Sequence, residues 1–139
     1  VKVKIGNYPK KTGDRKVKVE ISSHDLYNLD TTLALVIAPA LKMFKQHKGG
    51  IPGQFITNRY YELSNKSKLT SAEKRQLAKE EKLSEKNYND VLDSMIWSFE
   101  QLAAENDMIT GTEEERKAHD ERIQLGLDNF AKHYSTLWN

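Results

Sequence analysis

The hydrophobic period of this chain changes once, from two to about 3.6, and that change limits the folds open to it. Val1, Val3 and Ile5, then Val17, Val19 and Ile21, occupy every second position, while Lys2, Lys4, Lys16, Lys18 and Glu20 lie between them. Strict alternation is the mark of strands with one apolar face. The intervening Asn7-Tyr8-Pro9-Lys10-Lys11-Thr12-Gly13-Asp14 is rich in turn formers and too long for a two-residue turn, so a basic antiparallel hairpin over residues 1–21 is expected. Its apolar side should be buried. Its lysine side either guards an exposed edge or awaits an anionic partner, because like charges across a ladder are destabilising.

Beyond residue 30 the pattern is helical. Asp30 is placed as N-cap of a helix over 31–48, with Leu33, Val36, Ile37, Ala40, Leu41 and Phe44 on its apolar face and Pro39 as an internal kink. Residues 51–65 read as a loop. Residues 66–86 are so charged that a solvated helix or projecting arm is expected. Residues 87–105 carry a continuous stripe of Tyr88, Val91, Leu92, Met95, Ile96, Phe99, Leu102 and Ala103. Thr112 and Glu115 form a capping box for a last helix over 112–137, with Ile123, Leu127, Phe130, Tyr134, Leu137 and Trp138 on one side. A short connection predicts that these last two helices pack antiparallel, and Gly126 would admit a close helix approach. The expected fold is α+β: one domain over 1–139, with the hairpin packed on a bundle of three main helices and a charged, partly projecting helical segment.

Charge is divided along the chain. Residues 1–21 hold seven Lys/Arg against two Asp/Glu; the rest hold fifteen against eighteen. A basic hairpin on a mildly acidic body bears on partner choice. The absence of cysteine removes disulfides, thiolate metal sites and cysteine nucleophiles. No stretch reaches the roughly 18 apolar residues of a membrane span, and the amino-terminal pattern is that of a strand, not a signal peptide. A soluble protein of a reducing cytoplasm is the expectation.

Three blocks resemble a known family: Arg15-Lys16-Val17-Lys18-Val19-Glu20-Ile21 with Leu29-Asp30-Thr31-Thr32-Leu33-Ala34-Leu35 and Pro39; Val91-Leu92-Asp93-Ser94-Met95-Ile96-Trp97-Ser98-Phe99-Glu100; and the run from Gly126 to Trp138. They look like small proteins of tailed bacteriophages, T4-like phages and cyanophages among them, to which no activity is assigned. The resemblance covers about half the chain. It implies an accessory protein in the cytoplasm of a bacterial host, of the kind that binds host factors, counters defence systems or adjusts nucleic-acid metabolism.

Chemistry-bearing residues are few. Asp93, Trp97, Glu100 and Asp107 fall near one helical line, where the carboxylates could ligate a cation or pair with lysines of a neighbouring helix. Trp97 and Trp138 suit packing anchors or ligand stacking. His24-Asp25 stands where the second strand hands over to the first helix, as turn chemistry or as part of a site. His119 and His133 are about 21 Å apart on one helix, too far to share an ion. Glu115 and His119 lack the spacing of a di-iron motif, and Gly49-Gly50-Ile51-Pro52-Gly53 lacks the lysine of a phosphate loop. The leading expectation is a non-enzymatic binding protein without cofactor or bound metal, forming a homodimer through the hairpin or the carboxy-terminal helix. It would take a host or defence protein, or a phosphate-bearing signal, through Lys2, Lys4, Lys16, Lys18, His24, Asp25, Trp97 and Glu100. The alternatives are a metal-dependent hydrolase built on helix carboxylates and a nucleic-acid-binding accessory protein.

Overall fold

A computed structural model describes residues 1–106 and 110–138. Strands β1 (Lys2–Ile5) and β2 (Val17–Glu20) pair antiparallel, with Lys2 opposite Glu20, Val3 opposite Val19, Lys4 opposite Lys18 and Ile5 opposite Val17. A 3-10 turn, Ser23–Leu26, leads into α1 (Leu29–His47). A second 3-10 turn, Gly53–Phe55, precedes the short α2 (Asn58–Ser64); α3 (Ser71–Ala103) and α4 (Glu113–His133) follow, and a last 3-10 turn spans Tyr134–Thr136. The α+β class with a helical body is therefore as expected.

Helix α3 is the axis, and both α1 and α4 lie along it. Lys42 and Lys45 of α1 and Lys48 at its C-cap meet Glu100, Asp93 and Glu85 of α3, so the two helices run antiparallel. Gln101, Ser98 and Ser94 of α3 bond His119, the Arg122 carbonyl and Asn129 of α4, again in antiparallel order. Ala34, Ala38 and Leu41 of α1 are buried in one cluster with Tyr88, Leu92, Met95, Ile96 and Phe99. Small side chains at Ala34 and Ala38 let the backbones approach, and Gly126 does the same for α4. A Cβ there would lie 1.9 Å from Ser98 Oγ and 2.3 Å from the Ser94 carbonyl oxygen.

Four details differ from the sequence expectation. The charged run is not a separate arm: it is the first half of α3, opened by a Thr70–Glu73 capping box. The expected loop at 51–65 contains α2, which holds that half in place. Thr57 caps α2 by accepting from Tyr60 N–H; its own hydroxyl donates to Glu80, and its N–H donates to Ser84 Oγ. Leu63 is fully buried beneath it. Helix α1 starts at Leu29 after Asn28, so Asp30 sits in its first turn, not at its cap. The last helix ends at His133, where Thr136 turns back: Tyr88 Oη donates to the Thr136 carbonyl at 3.0 Å and stacks on Phe55.

The largest correction concerns burial of the hairpin. No strand residue comes within 8 Å, Cα to Cα, of any helix among the described residues, and no hairpin side chain is buried. Val3 is 46% exposed and Val19 50%. On α1 the same mismatch appears. The periodicity puts Leu33, Val36 and Ala40 on the core face, yet all three are exposed, and Ala34 and Ala38 take the seam instead.

Candidate interaction surface

The apolar face of the hairpin stands opposite α1 across an open cleft of about 620 Å³ lined by Val1, Val3, Ile5, Asp25, Thr32, Leu35 and Val36. Five of those seven residues are aliphatic. Val36 also lines a second furrow, of about 290 Å³, between α1 and the end of α4, with Ile37, Ala40, Leu41, Phe44, Phe130, Tyr134 and Leu137. The two depressions share Val36, which is 48% exposed, beside Leu35 at 60%. Single exposed apolar residues are ordinary, whereas a larger exposed apolar patch is a candidate interaction site.

The hairpin is positioned by its junction with α1. Asp25 accepts from the Val1 ammonium at 2.9 Å, from Ser22 N–H at 2.7 Å and from Ser22 Oγ at 2.8 Å. These donors, the ammonium foremost, hold the Asp25 carboxyl well below the usual carboxylate range, at about 2. Thr32 Oγ1 donates to the Asp25 carbonyl, tying the turn to α1. His24 meets Tyr27 edge to face. Asp25 is thus turn chemistry at the mouth of the cleft, and its carboxylate is one of the two polar groups in that lining.

The other residues singled out from sequence divide into two groups. Lys2, Lys4, Lys16 and Lys18 share the opposite face of the hairpin, away from the cleft, all exposed. Lys18 pairs with Glu20 at 2.5 Å. Glu100 and Asp93 do not converge on an ion: Lys42 pairs with Glu100, and Lys45 lies 2.5 Å from Asp93. Lys48, whose side chain is 8% exposed, faces Glu85 at 3.6 Å. In that ladder Asp93 and Glu100 serve as partners of the α1 lysines. Asp107 lies outside the described residues, and among those described no group of three His, Asp or Glu side chains could hold a metal. Trp97 is wedged between α3 and α4, with the Arg122 guanidinium 3.8 Å over its ring and His119 against its edge. It anchors a helix contact.

Sequence reasoning missed Leu35 and the furrow. The periodicity gives Leu35 no place on the core face of α1 and sets Phe130, Tyr134 and Leu137 on the packing face of the last helix. The available signal was an apolar arc on α1 that also contains Leu29, Leu35 and Val36, wider than one neighbouring helix can cover. A third depression, of about 510 Å³, lies where α1, α3 and α4 meet and carries Asp30, Glu105 and Asp120 among amide side chains. Comparisons with protein-family models, curated proteins and solved structures return no match. Among the described residues no helix is long and apolar enough to cross a membrane.

Proposed function

We propose that this chain is a non-enzymatic binding protein that receives an amphipathic segment of a protein partner on the surface running from the hairpin–α1 cleft into the α1–α4 furrow. The observation that carries this reading is a set of aliphatic and aromatic side chains, exposed at Leu35, Val36, Ala40 and Tyr134 and half-buried at Ile37, Phe44, Phe130 and Leu137, lining two depressions that share Val36. Helices α1 and α4 flank α3 and leave a furrow between them, the shape into which an apolar helix face fits. From Val36 to Phe44 the furrow follows α1 for about 12 Å, two turns of a docked helix.

In the setting implied by the phage-like blocks, the partner is a host or defence protein in the bacterial cytoplasm. A phosphate-bearing ligand is a weaker second reading. Its support is the exposed lysine face of β1 and β2, but the concave side of the hairpin is aliphatic and Glu20 stands among those lysines. The same weighing applies to nucleic acid, since a basic ribbon alone supplies charge without the aromatic platforms that stack bases.

The test is selection from a displayed peptide library, followed by affinity measurements with Val36→Glu and Leu35→Glu. The proposal expects peptides with apolar residues at helical spacing, whose binding falls at least tenfold in either variant. Selected peptides insensitive to both substitutions, or a thermal shift only with nucleotides, would overturn it.

A further inference from the structure

The outer edge of β2 carries a charge pattern and a hydrogen-bonding pattern that complement a copy of itself. The Gly6 N–H donates to the Lys16 carbonyl at 2.8 Å. Given the register, the directly hydrogen-bonded pairs are then Gly6/Lys16, Lys4/Lys18 and Lys2/Glu20. The backbone groups of Val17, Val19 and Ile21 consequently point away from β1, toward open solvent. A two-stranded ribbon is marginal in water, and gains independent stability when further strands extend its apolar face.

We propose that a second copy of this chain adds its β2 to this edge, antiparallel and centred on Val19, to build a four-stranded sheet. In that register Val19 lies opposite Val19 of the second copy, and Val17 lies opposite Ile21 in both directions. Lys18 then lies opposite Glu20 of the other copy, twice, at the closely spaced positions that are not hydrogen-bonded. The β1 edge offers no such match: pairing centred on Val3 sets Lys2 against Lys4 twice, and pairing centred on Lys4 sets Lys4 against itself. A two-fold axis normal to the sheet keeps both apolar faces on one side, so each copy's α1 still lies beneath its own hairpin. The contact is self-closing and leaves the α1–α4 furrow free. It does not depend on the proposed partner binding.

Light scattering across a concentration series, with helicity recorded by circular dichroism, tests this directly. Lys18→Glu sets carboxylate against carboxylate at the two contacts, while within each chain it sets a carboxylate opposite Lys4 and removes the Lys18–Glu20 pair. Glu20→Lys sets ammonium against ammonium. Each variant alone should dissociate roughly tenfold or more readily than the parent chain. Mixed in equal amounts, the two variants should recover a heterodimer, since every contact is again an opposite-charge pair. A parent chain that stays monomeric at the highest concentration overturns the proposal, as do a dimer unchanged by either substitution and a mixture that fails to recover association.

Discussion

The α1–α3–α4 body and the surface formed by the hairpin with the outer side of α1 treat the same residue types in opposite ways. In the body, apolar side chains are buried and small residues sit where backbones cross. The lysines of α1 each have a carboxylate opposite, and the caps at Thr57, Thr70 and Thr112 are filled. On the other surface, valines, isoleucines and leucines stand half exposed, and both strand edges keep backbone groups turned outward. Residues that secure the fold are spent inside. Those left outside are available for recognition, and the difference predicts which substitutions cost stability and which cost binding.

The largest effect on stability should come from Leu92→Ala. Leu92 is fully buried in the seam between helices, and the truncation should cost about 2–5 kcal/mol in denaturant unfolding. Gly126→Ala should follow at about 1–3 kcal/mol, because the added methyl meets Ser98 Oγ and the Ser94 carbonyl and α4 must shift away from α3. Tyr88→Phe removes the hydrogen bond to the Thr136 carbonyl and should cost about 1 kcal/mol, with loss of order at the carboxy-terminal turn.

His133 supplies a pH signature in the same body. It is buried against Phe55, with Gln54 on Nδ1, and burial, assisted by Lys132, pushes its pKa below the ordinary imidazole value. The folded state therefore binds a proton less readily than the unfolded chain. Stability should decline as pH falls through the ordinary range near 6.5 toward the lowered value, and then level off. Replacing His133 with Gln should flatten that part of the stability profile, measured by melting temperature from pH 7.5 to 5. The smallest stability effect belongs to the other surface: Val36→Glu should change unfolding free energy by less than about 0.5 kcal/mol. A large loss there would mean that Val36 belongs to the core and would dissolve the comparison.

How much of this was legible in sequence follows the same division. Period and capping signals located the hairpin, the stripe from Tyr88 to Ala103 and the Thr112–Glu115 box, because those features are local. The close approach at Gly126 was likewise foreseeable. What could not be read was which of two apolar arcs on α1 faces α3. Leu33 and Val36 are the bulkier residues and suggest a core, yet helix crossing distance selects Ala34 and Ala38. The joining of the charged run to the helix after it was also hidden, since Thr57, Ser84 and Glu80 meet only in the folded chain. The carboxylates Asp93 and Glu100 looked chemical in sequence, because their lysine partners lie about 50 residues away on α1.

If the Val36 surface serves recognition, it should contribute little to the fold. The most direct test measures Val36→Glu twice, by thermal unfolding and by affinity for a peptide selected on the parent chain. An unchanged melting temperature with binding weakened at least tenfold is the predicted result. Retained affinity, or a lowered melting temperature that accounts for the lost binding, would contradict it.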